Sequence, residues 1–297
     1  MTLGNSLVTG ISGDVVARYL ARLDVQARPE PSLDQLITLH ERHVERISYH
    51  NLDIQLGRRT DVDPARNAAR LADGEGGYCF HLNGSFAALL SALGFDVTLH
   101  RGEVKKDMHR PPGVSFANHL AMTVNLDGLR WFVDVGLGDG LFHPLPLRTG
   151  MAEQPPLTFG LSRTSRGWRF THDPRASFTV MDFDDAPATA EDFAGPHEVL
   201  STEPASTFVR RFIVTNRAAD RVLSLVDRVL TTIDAGGVTK RVLPTFDQWR
   251  STLRTDFLLR LDEQDDDGLA RLWTRLSRRD DHAGVHDPAD PEEASRE

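Results

Sequence analysis

Residues 119–136 constrain this chain more than any other stretch: two alternating runs flank Asp127-Gly128. Asp-Gly between such runs predicts a two-residue hairpin turn, because both central positions need a positive φ. With that turn, paired positions sum to 255. Leu120 then faces Val135, Met122 faces Val133, Val124 faces Trp131 and Leu126 faces Leu129. All eight are apolar, which predicts a packed face and a self-consistent register. The other face carries His119, Ala121, Thr123, Asn125, Arg130, Phe132, Asp134 and Gly136. There Asp134 lies opposite Ala121, with His119 on the diagonal, roughly 7–8 Å away at Cα, a distance that long side chains bridge. A carboxylate between Val133 and Val135 needs a partner, and His119 is the nearest candidate. A two-residue change in turn length would shift the register but keep the face.

Upstream of the hairpin the period is helical. Ser12 and Ser32 read as N-caps of two helices, Pro64 to Ala72 as a third, and Cys79 to Gly94 as a fourth. Tyr49 to Gly57 reads as a non-helical connection. Downstream, strands are expected at 96–104, 168–171, 177–181, 209–215, 222–226 and 228–233, with a hairpin turn at Gly236-Gly237 and helices over 246–261 and 268–276. The chain therefore reads as α+β. The net charge is −9, and residues 280–297 hold seven acids against one base, leaving about −3 for the rest. That tail is expected to be disordered, and so balanced a body gives no reason to expect nucleic-acid binding. No apolar run is long enough for a membrane span. No secretory signal is expected, and a single cysteine permits no internal disulfide, which together suit a cytoplasmic protein. GxGxxG, P-loop and HExxH patterns are absent, and no metal is expected.

Cys79 follows Gly76-Gly77-Tyr78 and opens the fourth helix. Free N–H groups and partial positive charge at a helix start favour a thiolate. A lone cysteine is more often a small buried hydrophobe. The glycine pair and the His119/Asp134 face instead point to Cys79 as nucleophile, His119 as base and Asp134 as the acid orienting it. His81 is the rival base, but side chains at i and i+2 on a helix diverge. One of His40 and His43 is expected to face the core, and His100, His109 and His143 have no acid at meaningful spacing.

The order Cys, His, Asp, with gaps of 40 and 15 residues, resembles the arylamine N-acetyltransferases. So do Gly76-Gly77-Tyr78-Cys79-Phe80 with Leu82-Asn83, His119-Leu120, the run from Trp131 to Gly138, Asn51-Leu52 and the run from Ser201 to Phe208. The resemblance implies a helical bundle (residues 1–95), a central β-barrel (96–200) and a C-terminal α/β lid (201–279), with a cysteine-protease-like triad. It implies ping-pong transfer from acetyl-CoA through a Cys79 thioester to an arylamine or hydrazine. Leu137, Gly138, Phe116 and Val104 are then the candidate substrate-binding residues, Leu137 standing where the family usually has phenylalanine. Ser206, Thr207 and Arg210 are the candidates for acetyl-CoA. Backbone N–H groups of Cys79 and the 115–117 loop would hold the oxyanion. Arg101, Lys105, Lys106, Arg110, Arg210 and Arg211 are basic groups that could meet CoA phosphates. The chain departs from the family at Glu75, where arginine is usual, and at His50 and His81, where acids are usual. A Glu75–His50 pair of reversed polarity is the expectation. Alternatives are an amide synthase taking its acyl chain from a carrier protein, a thiol hydrolase or transglutaminase-like enzyme, and a non-catalytic scaffold.

Overall fold

The computed structural model describes residues 10–26 and 30–283. Helix α1 (Gly13–Leu23) begins where the Ser12 side chain accepts the Val15 N–H, and α2 (Leu33–Arg46) where Ser32 accepts the Gln35 N–H. The stretch expected to be non-helical forms a short strand, β1 (Tyr49–His50), and one turn of helix, α3 (Leu52–Gln55). Asp63 caps α4 (Pro64–Ala72), whose proline occupies the first turn. Helix α5 (Cys79–Ala92) is apolar on every side, and 12 of its 14 residues are buried. Such a helix can only sit inside a core. It packs with α1, α2 and α4 against Leu120, Met122, Val124, Val133 and Val135 of the hairpin.

Eight strands follow in one antiparallel sheet: β2 (Asp96–Lys105), β3 (His119–Leu126), β4 (Leu129–Val133), β5 (Leu145–Pro146), β6 (Gly150–Gln154), β7 (Leu157–Arg163), β8 (Gly167–Thr171) and β9 (Val180–Ala188). Their order is β5-β4-β3-β2-β9-β8-β7-β6. The edge strands β5 and β6 are joined by residues 147–149 alone, so the sheet curls into a nearly closed barrel. Met122 pairs with Val133, Val124 with Trp131 and Leu126 with Leu129, the register read from the sequence. Asp127 and Gly128 have φ of 50° and 77°, as the two-residue turn requires. Leu129 departs from the expected packing; at the hairpin tip it is 60% exposed. The opposite face is buried too, since Ala121 and Phe132 belong to the barrel core with Phe159, Phe170 and Phe183. The hairpin is thus the wall shared by two cores. The strand expected at 177–181 starts at Val180 and runs to Ala188, and β6 and β7 were not expected.

The chain continues with α6 (Ala194–Thr202), α7 (Thr207–Arg210), β10 (Ile213–Arg217), β11 (Val222–Val226), β12 (Val229–Asp234), β13 (Gly237–Val242), α8 (Phe246–Thr255) and α9 (Asp266–Ala283). Residues 207–210 are helical, so the strand expected from 209 begins only at Ile213. The second sheet has the order β1-β10-β11-β12-β13. Its edge strand β1 comes from the first 95 residues, with Tyr49 opposite Thr215, and Leu52 joins the third core beside Phe212 and Trp249. The expected boundary at 200/201 falls inside α6. Helix α8 stops at Thr255, short of the expected 261, and α9 reaches Ala283, four residues into the expected tail. Residues 284–297 of that tail lie outside the described residues. No helix among the described residues is long and apolar enough to cross a membrane.

Candidate active site

Cys79, His119 and Asp134 meet where the first residue of α5 faces the start of β3 and the residue after β4. His119 Nε2 lies 2.7 Å from Asp134 Oδ2, with both side chains buried. The Cys79 side chain acts on the same imidazole, and with Nε2 taken by Asp134 the ring nitrogen left over is Nδ1. Burial opposes charge on His119, but the Asp134 carboxylate and the contacts with Asp134 and Cys79 outweigh it and push its pKa up to about 10. His81 turns away from this pair, accepting the Tyr78 N–H at 3.4 Å, and burial holds its pKa well below the ordinary value. With one ring nitrogen given to the Tyr78 N–H and its basicity lowered by burial, His81 is a poor base for Cys79. His40 and His43 are both buried. The His40 ring lies 3.0 Å from the Asp134 carbonyl oxygen and 2.9 Å from that of Phe142, steadying Asp134 from behind. His143 has an acid after all, Glu41 at 3.1 Å, but this pair is half-exposed. A further pair that sequence spacing did not reveal is His172 with Asp139, 3.3 Å apart.

Asn83 and Gly136 set the approach of helix to hairpin. Asn83 Nδ2 donates to the Leu120 carbonyl (2.6 Å) and to Asp134 Oδ1 (2.8 Å), and its Oδ1 accepts the Val135 N–H (2.8 Å). A Cβ on Gly136 would come 2.8 Å from the Cys79 Cα, so only glycine admits this contact. Gly77 has a similar reason, because a Cβ there would collide with the His81 side chain. The Tyr78 hydroxyl meets His197 Nδ1 at 2.5 Å and ties the start of α5 to α6.

The expected Glu75–His50 pair gives way to another arrangement. Glu75 pairs with Arg70 of α4, whose guanidinium also lies 2.6 Å from Asp53. Arg70 thus supplies from a helix the positive charge that Glu75 removes from the glycine turn. His50 accepts the Leu52 N–H, and burial pulls its pKa down to about 4 despite Asp53. It is neutral and has no charge with which to balance Glu75.

The other candidates fall on several elements of the fold. The Asn118 carbonyl oxygen lies 3.6 Å from Cys79 Sγ. Val104 is clamped by the Asn118 side chain, and half-buried Phe116 accepts the Asn118 N–H at its carbonyl. Ser115 N–H, a possible oxyanion donor, is already given to Glu103 Oε2 at 2.8 Å. Leu137 is buried in the barrel core, and Gly138 (φ 72°) lies against Tyr49 and Thr215. Ser206 caps α7, with Thr207 and Arg210 on the exposed side of that turn. Asn51 Nδ2 donates to the Phe208 and Arg211 carbonyls, which explains the need for Asn51 in its motif. Two basic groups are unsuited to phosphate: Lys105 is buried against Asp182 at 2.7 Å, and Arg211 is engaged by Asp227 at 2.6 Å. Arg101, Lys106, Arg110 and Arg210 remain exposed.

A family model described as N-acetyltransferase matches residues 32–266, which sets the class. The chain is 34% identical over 140 residues to the arylamine N-acetyltransferase / N-hydroxyarylamine O-acetyltransferase of Salmonella typhimurium, covering 46% of this chain and 49% of that one. The aligned stretch therefore spans about half of that relative. A structure of the Nocardia farcinica arylamine N-acetyltransferase is 29% identical, with a TM-score of 0.77 over 88% of this chain and 95% of that one. The Mycobacterium marinum arylamine N-acetyltransferase in complex with CoA is 26% identical, with a TM-score of 0.78 over 89% and 98%. The chain belongs to the arylamine N-acetyltransferase family.

Proposed function

We propose that this protein is a cytoplasmic arylamine N-acetyltransferase that carries an acetyl group from acetyl-CoA, through a thioester on Cys79, to an arylamine or hydrazine. The observation that carries this reading is the buried His119–Asp134 pair at 2.7 Å, with Cys79 at the start of α5 acting on the same imidazole. Cys79 attacks the acetyl carbonyl with its proton held on His119, whose imidazolium Asp134 stabilises. The CoA sulfur leaves with that proton. An amine then attacks the thioester, gives one proton to His119, and Cys79 leaves as the thiol. The Cys79 N–H at the start of α5 supports the oxyanion. Arg101, Lys106, Arg110 and Arg210, all exposed, are the basic side chains we assign to the CoA phosphates.

Intact mass after incubation with acetyl-CoA tests the reading. An acetyl-sized increase is expected on the wild type, absent in Cys79→Ala and discharged by an arylamine. An adduct only from a carrier-bound acyl chain would make the protein an amide synthase instead. No adduct from either donor would leave a scaffold that keeps the fold.

A further inference from the structure

We infer that the main-chain carbonyl of Asn118 is a catalytic group for the second half-reaction, accepting a hydrogen bond from the N–H that the attacking amine retains. This rests on the acetyl transfer proposed above. In the free protein the Cys79 sulfur lies 3.6 Å from the Asn118 oxygen. The thioester sulfur carries no hydrogen, so that oxygen then lies beside the reacting carbonyl with no donor from Cys79. A primary amine arrives there with two N–H bonds. Its lone pair forms the C–N bond, one proton passes to His119 and then to the departing Cys79 sulfur, and the other hydrogen stays on the amide nitrogen. That second N–H needs an acceptor in a buried site, and the Asn118 oxygen adjoins the reacting atoms.

The chain holds this carbonyl firmly. The Asn118 side chain accepts the Val104 N–H (2.7 Å) and donates to the Val104 carbonyl (3.1 Å), tying the residue to β2. The loop leading to it is anchored by ions that the reaction does not otherwise use. Glu103 accepts the Ser115 N–H (2.8 Å) and hydroxyl. Asp182 accepts the Gly113 N–H (3.1 Å), and Lys105 donates to the Gly113 carbonyl (2.6 Å) while paired with Asp182. Arg169 grips Asp182 from the far side at 2.7 Å. Glu103, Lys105 and Asp182 are buried, and burying three ions under one short loop is costly unless all are paired. They are positioning residues acting through Gly113 and Ser115.

The test compares two acceptors on preformed acetyl-enzyme freed of CoA: aniline, with two N–H bonds, and N-methylaniline, with one. Adduct loss is followed by intact mass for wild type, Asn118→Ala and Glu103→Gln. The ratio of aniline to N-methylaniline discharge rates is expected to fall about tenfold in Asn118→Ala and at least about threefold in Glu103→Gln, as loss of one oriented hydrogen bond implies. If both acceptors slow together and the ratio holds within about twofold, the residues are merely structural and the inference is overturned. Glu103→Gln keeps the test open if Asn118→Ala fails to fold. If no acetyl-enzyme forms in the wild type, the proposed function itself fails, a result separate from an unchanged ratio.

Discussion

Asn83 sits one helical turn after Cys79, and its amide reaches three groups of the hairpin: the Leu120 carbonyl, the Asp134 carboxylate and the Val135 N–H. Asn83→Ala strands these partners in a buried site, where an unmade hydrogen bond costs about 1–3 kcal/mol. A loss of about 3 kcal/mol in urea unfolding is expected, together with slower acetyl-adduct formation because Asp134 is no longer fixed. The His119–Asp134 pair gives a pH dependence of definite sign. The folded pKa of His119, about 10, stands above its ordinary value of 6.5. The pair's contribution is therefore complete below about 6.5 and is lost as pH rises through about 10. Urea midpoints of wild type and Asp134→Asn should differ most near pH 6 and converge toward pH 10. A gap that widened with pH would mean that His119 is neutral in the fold.

At the scale of elements, the close approach of α5 to the end of β4 is the point where fold and site are one object. Gly136→Ala would press a Cβ to 2.8 Å from the Cys79 Cα and from Asn83 Nδ2, and the backbone at the buried start of α5 cannot retreat. Overpacking of this kind costs about 1–3 kcal/mol. Displacing the nucleophile by a fraction of an ångström should slow acetyl-adduct formation by about 100-fold, with the circular dichroism of the fold retained. These elements were legible for local reasons. A two-residue Asp-Gly turn fixes a register, and the register puts His119 and Asp134 on one face. The partner of Glu75 was not legible although Arg70 stands only five residues before it, because the two meet through the turn that ends α4 and not at a helical i,i+4 spacing. The burial of Lys105 was hidden for a different reason: Asp182 lies 77 residues away, on β9.

At the scale of the whole molecule, the two sheets must be held in register across the site, and Arg217 is the pin. It ends β10 and is almost fully buried. Its guanidinium donates to the Gln154 (2.8 Å), Pro155 (2.9 Å) and Gly140 (3.3 Å) carbonyls of the barrel, and it lies 5.3 Å over the Phe142 ring. Burial pulls its pKa down to about 10, although the Asp139 carboxylate works the other way. No sequence pattern announces such a residue, because its partners are backbone oxygens. They belong to the segment that continues from Gly138, which itself touches Tyr49 and Thr215 on the second sheet. Arg217→Met keeps the bulk but strands three carbonyls at about 1–3 kcal/mol each. Arg217→Lys keeps the charge but has three donors on one atom, too compact to span Gly140 and Pro155 together. Melting temperature should fall by roughly 5–10 °C in Arg217→Met and by less in Arg217→Lys. Because the pin joins the two sheets and lies apart from the Cys79–His119 contact, the acetyl-adduct rate at low temperature should fall less than stability does. An Arg217→Met protein that melts like wild type would show that the second sheet is held by β1 and the Asn51 clamp alone.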